Sequence, residues 1–188
     1  MTTLRATAGR LAGVGIAGAA AMLVAATPDG SLPAHGLVVA AVAALLSLIA
    51  WHDLRTLTIP DTAVALTACV ALLARAVVMP VDASLLLVLA IDVAGSGGAL
   101  WLVREAGYRL RGEDVLGLGD VKLAAALGLL LGALGFALAL LAASVTGLLL
   151  ALALAATGRP VGRTTKLPFG ALLAPSALLT WLLIGRTA

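Results

Sequence analysis

The stretch GDVKLAAALGLLLGALGFALALLAASVTGLLLALALAAT, residues 119–157, decides the fold. Nothing in it after Lys122 is charged, and the next charged residue is Arg159. The hydrocarbon core of a bilayer, about 30 Å thick, takes roughly 20 apolar residues in a helix. The stretch therefore reads as two membrane helices, residues 119–131 and 134–157, the first short enough to call for a Gly-rich entry or a tilted neighbour. Reading outward for apolar runs bounded by charges, Pro and Gly adds residues 11–27, 36–51, 62–78, 84–103 and 168–184. The expected fold is all-α, a polytopic membrane helix bundle with about seven transmembrane helices. It has six if the first run, which follows Arg5 and Arg10 and ends in small residues, is a cleaved signal; a retained span is preferred. The chain divides into residues 1–35, an N-terminal span and extracytoplasmic loop, and residues 36–188, the main membrane domain.

Composition agrees. Of 188 residues 62% are hydrophobic and 11% charged, and the mean hydropathy is +1.16, which excludes an ordinary soluble domain. The net charge of +3 raises nucleic acid as a partner, but no basic run is interleaved with aromatics, so none is expected. With the N-terminus in the cytoplasm, Arg5, Arg10, Arg55, Arg104, Arg109, Arg111, Lys122, Arg159, Arg163 and Lys166 fall inside, against Arg75 and Arg186 outside. The positive-inside rule thus sets the N-terminus in and the C-terminus out of the cell membrane. Trp51, Trp101 and Trp181 stand near span ends, as interfacial aromatics do. Cys69 is the one cysteine, and His35 and His52 are read as lying on separate loops, so neither a metal nor another cofactor is expected. Ala124, Gly128 and Gly132 supply small-residue helix contacts, and no repeat of 20 to 50 residues is visible.

Two acidic residues carry chemistry. Asp53 closes the run at 36–51, the chain crosses twice more, and Asp120 opens the run at 119–131. An even number of crossings returns both carboxylates to one membrane face. Two carboxyl groups in a low-dielectric site share a proton, so one can activate water while the other polarises a carbonyl. The plainer readings are an interfacial charge beside Arg55 for Asp53, and a helix N-cap for Asp120.

The local sequences favour the pair. Asp53-Leu54-Arg55 is followed by Ile59-Pro60-Asp61, and the second site reads Gly117-Leu118-Gly119-Asp120-Val121-Lys122. These segments resemble the paired signatures of the prepilin-peptidase (type IV leader peptidase) family, in which the first aspartate precedes an Arg and an Ile-Pro and the second ends a G-x-G-D motif followed by Lys. Lys166-Leu167-Pro168-Phe169-Gly170 is similar to the Pro-Phe-Gly segment that opens a late helix there. The resemblance runs from about Ala40 to Pro175. Presenilin-type proteases share G-x-G-D, but their first aspartate follows a Tyr, whereas Asp53 follows His52, and they are the weaker match. The resemblance implies a GxGD-type aspartic endopeptidase with Asp53 and Asp120 as catalytic pair and Gly117, Gly119, Lys122, Arg55 and Pro60 as supporting motif residues. It implies as substrate a prepilin or pilin-like precursor of the type IV pilus and secretion kind, cut at the cytoplasmic membrane face. The chain carries no CxxC motif and looks like the short, peptidase-only form, without methyl transfer.

Gly117 and Gly119 are expected to leave room beside Asp120 for a substrate backbone and to permit unusual backbone angles. Arg55 and Lys122, within a turn of the aspartates, either snorkel or orient a carboxylate. Asp92, flanked by Ile91 and Val93, is a mid-span carboxylate. It reads first as a neutral acid bonded to a neighbouring helix, then as a groove residue or part of an ion pathway. Glu105, Glu113 and Asp114 stand with Arg104, Arg109 and Arg111 in one solvated, self-compensating loop whose acidic edge is a weak candidate for meeting a basic leader. The alternative function is a small ion- or proton-coupled transporter or channel built on Asp92 and the interfacial aspartates. The oligomeric state is not encoded in any visible feature.

Overall fold

The structure is a computed structural model that describes residues 33–114, 116–157 and 168–184. The expected first span, residues 11–27, lies outside them, and the division after residue 35 falls inside the first described helix. Every regular element among the described residues is helical: α1 (Pro33–Thr56), α2 (Asp61–Val78), α3 (Ala83–Val93), a π-helical turn (Ala94–Gly98), α4 (Ala99–Arg111), α5 (Leu118–Ala156) and α6 (Phe169–Ile184). The all-helical membrane architecture is as expected; the count of about seven spans is not confirmed among the described residues. Among the described residues three helical stretches are long and apolar enough to cross a bilayer: Val38–Thr56, Ala83–Leu110 and Leu118–Ala156. The run read at 84–103 is one rod of α3, the π turn and α4, and the two runs at 119–131 and 134–157 join in α5.

α5 has 39 residues, which at 1.5 Å per residue is about 58 Å, nearly twice the hydrocarbon thickness. It is not one straight helix. Gly132 has φ 75° and ψ 164° inside it, a conformation that glycine enters without steric cost, and the break coincides with the gap read from the sequence. The first half of α5 packs on α2 and on the α3–π–α4 rod, and α6 packs on both α5 and α1. Val42, Leu46 and Ile49 of α1, Leu123 and Leu127 of α5, and Leu173, Ala174 and Ala177 of α6 are buried in a single core. Their three- and four-residue spacings put each set on one helix face. Leu141, Val145, Leu148, Leu149 and Leu152 on the second half of α5 are exposed, which is the arrangement lipid rather than water favours.

The π turn has a packing reason. Ser96 donates to the Asp92 carbonyl at 2.6 Å, and Gly128 of α5 lies so close that a Cβ there would collide with the Ser96 hydroxyl and approach the Asp92 carbonyl oxygen to 2.7 Å. Small residues thus bring α5 against the widened turn, as expected of Ala124 and Gly128. Gly132 plays the other part, that of a break. At its far side Asp92, only 10% exposed in its side chain, meets Arg75 of α2 at 3.1 Å and accepts the Ala133 N–H at 2.8 Å. The expected bond to a neighbouring helix is there, made to Arg75 of α2, and the same carboxylate also caps the second half of α5. At the α2–α3 corner the Asp82 carboxylate accepts from the backbone of Ser84 and Leu85 and from the Ser84 hydroxyl. These donors, the hydroxyl first, hold its carboxyl below the usual range.

Candidate active site

The α1–α2 corner and the N-termini of α5 and α6 meet at one end of the bundle. α1 carries on past Trp51 to Thr56, so Asp53 lies in its last turns rather than after its end. Residues His52 and His35 likewise belong to α1 and not to separate loops. His52 Nδ1 stands 2.8 Å from the Thr58 carbonyl oxygen and 2.9 Å from the Thr56 hydroxyl, which ties down the corner while Leu57 takes a left-handed φ of 53°. Pro60 then precedes α2 in extended conformation, φ −71° and ψ 121°, as its N-cap residue.

On the other side of the site, Gly117 is the N-cap residue of α5 and Asp120 sits in the helix's first turn, with its N–H 3.2 Å from the Gly117 carbonyl. Asp120 is therefore not the cap; its carboxylate faces the free N–H end of the helix. The glycines act by space and not by backbone freedom. Gly117 has φ −67° and ψ 144°, open to most residues, and Gly119 is helical, but a Cβ on Gly117 would stand 3.0 Å from Asp120 Oδ2 and one on Gly119 3.2 Å from the Ile59 Cβ.

Asp53, Asp120, Gly117 and Gly119 line one cavity of about 390 Å³ with Leu57, Thr58, Ile59 and Asp61. Asp53 is 5% exposed and its Oδ2 accepts the Ala171 N–H at 2.9 Å; Asp120 is half-buried. The two carboxylates predicted to share a face thus share a cavity. The model of the type IV leader peptidase family matches residues 40–152, more than half of the chain and both aspartates. The chain belongs to the type IV leader peptidase family. No curated protein and no solved structure matches it in the corresponding searches. Its general activity is accordingly that of a membrane peptidase of this family, and the geometry around the pair bears on how a leader peptidase of this form works.

Neither basic motif residue touches the pair. Lys122 Nζ lies 2.9 Å from both carboxylate oxygens of Asp61, and the Arg55 guanidinium lies 4.0 Å from the centre of the Trp51 ring. Of the two roles weighed for Arg55, orienting a carboxylate is not the one seen, since its guanidinium is stacked on Trp51. Lys122 instead links α2 to α5 at the rim of the cavity. Both side chains of that link are well exposed, 46% and 71%, and such pairs contribute about 0.5 kcal/mol. Lys122→Ala is expected to lower the cleavage rate by a factor of about three at most, since 1.4 kcal/mol would be needed for tenfold. A steady-state assay on the purified variant checks this, and a loss of a hundredfold would place Lys122 in the chemistry.

Three contributors were not picked out from the sequence. Asp61 lines the cavity itself. Arg104 bonds the Leu116 carbonyl at 3.1 Å and Asp114 at 2.8 Å, so the loop before Gly117 is pinned to α4 rather than freely solvated, while Arg109 and Glu105 do pair on the surface of α4. The third is the contact that the first turn of α6, opened by the Pro-Phe-Gly segment already noted, makes to Asp53 through the Ala171 N–H. A glycine in the opening turn of an apolar helix is the available signal for a close approach there. Among the described residues no group of three or more His, Cys, Asp or Glu side chains is placed to hold a metal ion.

Proposed function

We propose that this protein is an aspartic endopeptidase that removes the leader from type IV pilin-like precursors, with Asp53 and Asp120 as its catalytic pair. The observation that carries the reading is that the two motif aspartates line one cavity at one end of the bundle. Gly117 and Gly119 flank Asp120 without side chains, which leaves an edge along which an extended peptide can lie. One carboxylate takes a proton from water as the water oxygen bonds to the scissile carbonyl carbon, and the other carboxyl gives its proton to the carbonyl oxygen. The intermediate collapses by breaking the C–N bond, the first carboxyl protonating the nitrogen and the second recovering its proton.

The cavity end is the cytoplasmic one. Arg55, Arg104, Arg109, Arg111 and Lys122 cluster at that end and Arg75 lies toward the other. With Cys69, which is exposed, first replaced by Ala, a cysteine at Thr56 is expected to react only with reagent supplied from the cytoplasm. One at Val81, on the α2–α3 corner, is expected to react only from outside. The reverse labelling would invert the topology. Of the carboxylates on which the transporter reading was built, Asp92 is bonded to Arg75 and Ala133 and the other two line the cavity, which favours the peptidase reading. Purified protein in liposomes, incubated with a precursor bearing a basic leader before a hydrophobic helix, is expected to yield two peptides by mass measurement. An intact precursor under conditions where a known leader peptidase cuts it would refute the substrate assignment.

A further inference from the structure

The buried half of the pair is held by an element outside both aspartate motifs. Asp53 Oδ2 accepts the Ala171 N–H at 2.9 Å, and the Gly170 N–H is a second backbone donor facing it. Both belong to the first turn of α6, where N–H groups have no acceptor within the helix and carry the positive end of its dipole. The approach requires glycine: a Cβ on Gly170 would lie 3.1 Å from Asp53 Oδ2 and 3.0 Å from Ile59 Cδ1. Asp120 is placed differently. It is half-buried, faces the backbone of its own helix start, and the nearby Lys122 is engaged by Asp61. The other titratable groups around Asp53 are His52 on α1, whose Nδ1 is turned to Thr58, and Asp61 on α2; α6 contributes no ionisable side chain among its described residues.

We propose that the first turn of α6 is a positioning element of the reaction: the Ala171 N–H, seated by Gly170, holds Asp53 as the charged member of the pair and so as the general base, leaving the shared proton on Asp120. The inference rests on the paired-aspartate reading and adds the division of labour. A backbone N–H bonded to a carboxylate favours its charged form and fixes its plane, and a second carboxyl beside it then keeps its proton. The Asp53 oxygen not bonded to Ala171 takes the proton of the attacking water. Asp120 gives its proton to the carbonyl oxygen as the carbon–oxygen bond forms. When the C–N bond breaks, the Asp53 proton goes to the nitrogen and one hydroxyl proton of the intermediate returns to Asp120, restoring both groups.

Ala171→Pro deletes the N–H at a place where a helix tolerates proline, and Gly at 170 eases the constraint on the residue before it. Gly170→Ala keeps the N–H but drives the carboxylate away from it, and Ala171→Gly keeps both. The full chain in detergent is assayed for precursor cleavage across pH. Ala171→Pro and Gly170→Ala are expected to lower kcat about tenfold or more with KM near the parent value, the range of a misplaced acid–base group. Both are expected to move the acidic limb of kcat/KM to higher pH, because the carboxylate without its donor is protonated more readily. Ala171→Gly is expected to keep the parent profile. An acidic limb unmoved in folded Ala171→Pro, or in Gly170→Ala should the proline variant not fold, overturns the proposal, as does an equal shift in Ala171→Gly. Cleavage that survives Asp53→Asn would instead remove the catalytic pair itself, whatever the α6 variants do.

Discussion

Asp53→Asn and Asp120→Asn are each expected to lower precursor cleavage by about 10³-fold or more, the upper range for loss of a general acid or base, in proteins that purify and unfold like the parent. The structural reason for intact folding is specific. An asparagine oxygen can still accept the Ala171 N–H that now reaches Asp53 Oδ2, and Asp120 is only half-buried, so an amide of the same shape fits both places. The double variant is expected to be scarcely worse than either single one, because groups acting as one unit do not contribute additively. For the parent, activity is expected to fall on both sides of an optimum. On the acid side both carboxyls hold protons and neither can take one from water; on the alkaline side both are ionised and neither can protonate the carbonyl oxygen. The two limbs belong to the pair and not to either residue. Cleavage by a folded Asn variant within tenfold of the parent would remove that residue from the chemistry.

Hydropathy marks where lipid lies, and it located every described helix, but it misplaced ends wherever a helix outlasts the membrane. His52, Asp53 and Arg55 are polar and so read as following a span, yet the backbone continues helical through Thr56 and the Leu57 N–H still reaches the Asp53 carbonyl at 2.8 Å. The run ending at 103 continues likewise to Arg111, and stops only where Gly112 adopts φ 72° as a left-handed cap. The gap at Gly132 was legible because an apolar stretch of that length exceeds one membrane thickness. The common face of Asp53 and Asp120 was legible from counting crossings. Their common cavity was not, because it depends on how the helices pack, nor was the α6 donor to Asp53, which lies 118 residues away in the chain. Lys122 shows the same limit. Sequence proximity set it beside Asp120, whereas helix geometry turns it toward Asp61 of α2, and a turn of helix is enough to change the partner.

Asp92 tests how far a buried charge in this bundle is structural. Asp92→Ala is expected to destabilise the protein by about 3 kcal/mol, since it strands Arg75 in a site only partly open to solvent. It also leaves the Ala133 N–H without its acceptor, just where Gly132 has interrupted the helix. The value lies at the low end of the range for broken buried pairs because the Arg75 side chain, 23% exposed, can turn toward water or headgroups. Asp92→Asn keeps an acceptor for Ala133 and is expected to cost less. Arg75→Met combined with Asp92→Ala removes both charges and is expected to recover part of the loss, and with Arg75→Met alone closes a double-mutant cycle whose coupling energy is expected to be about 1–3 kcal/mol. Thermal unfolding in detergent measures the set, with cleavage per folded molecule measured alongside and expected to stay within about twofold of the parent, a change under 0.5 kcal/mol in barrier. Single variants that unfold like the parent would show that the pair does not hold α2, α3 and the second half of α5 together. Loss of cleavage in a stably folded Asp92→Asn protein would carry Asp92 from the scaffold into the reaction, and with it the boundary drawn here between the ion pair at Gly132 and the cavity at Asp53 and Asp120.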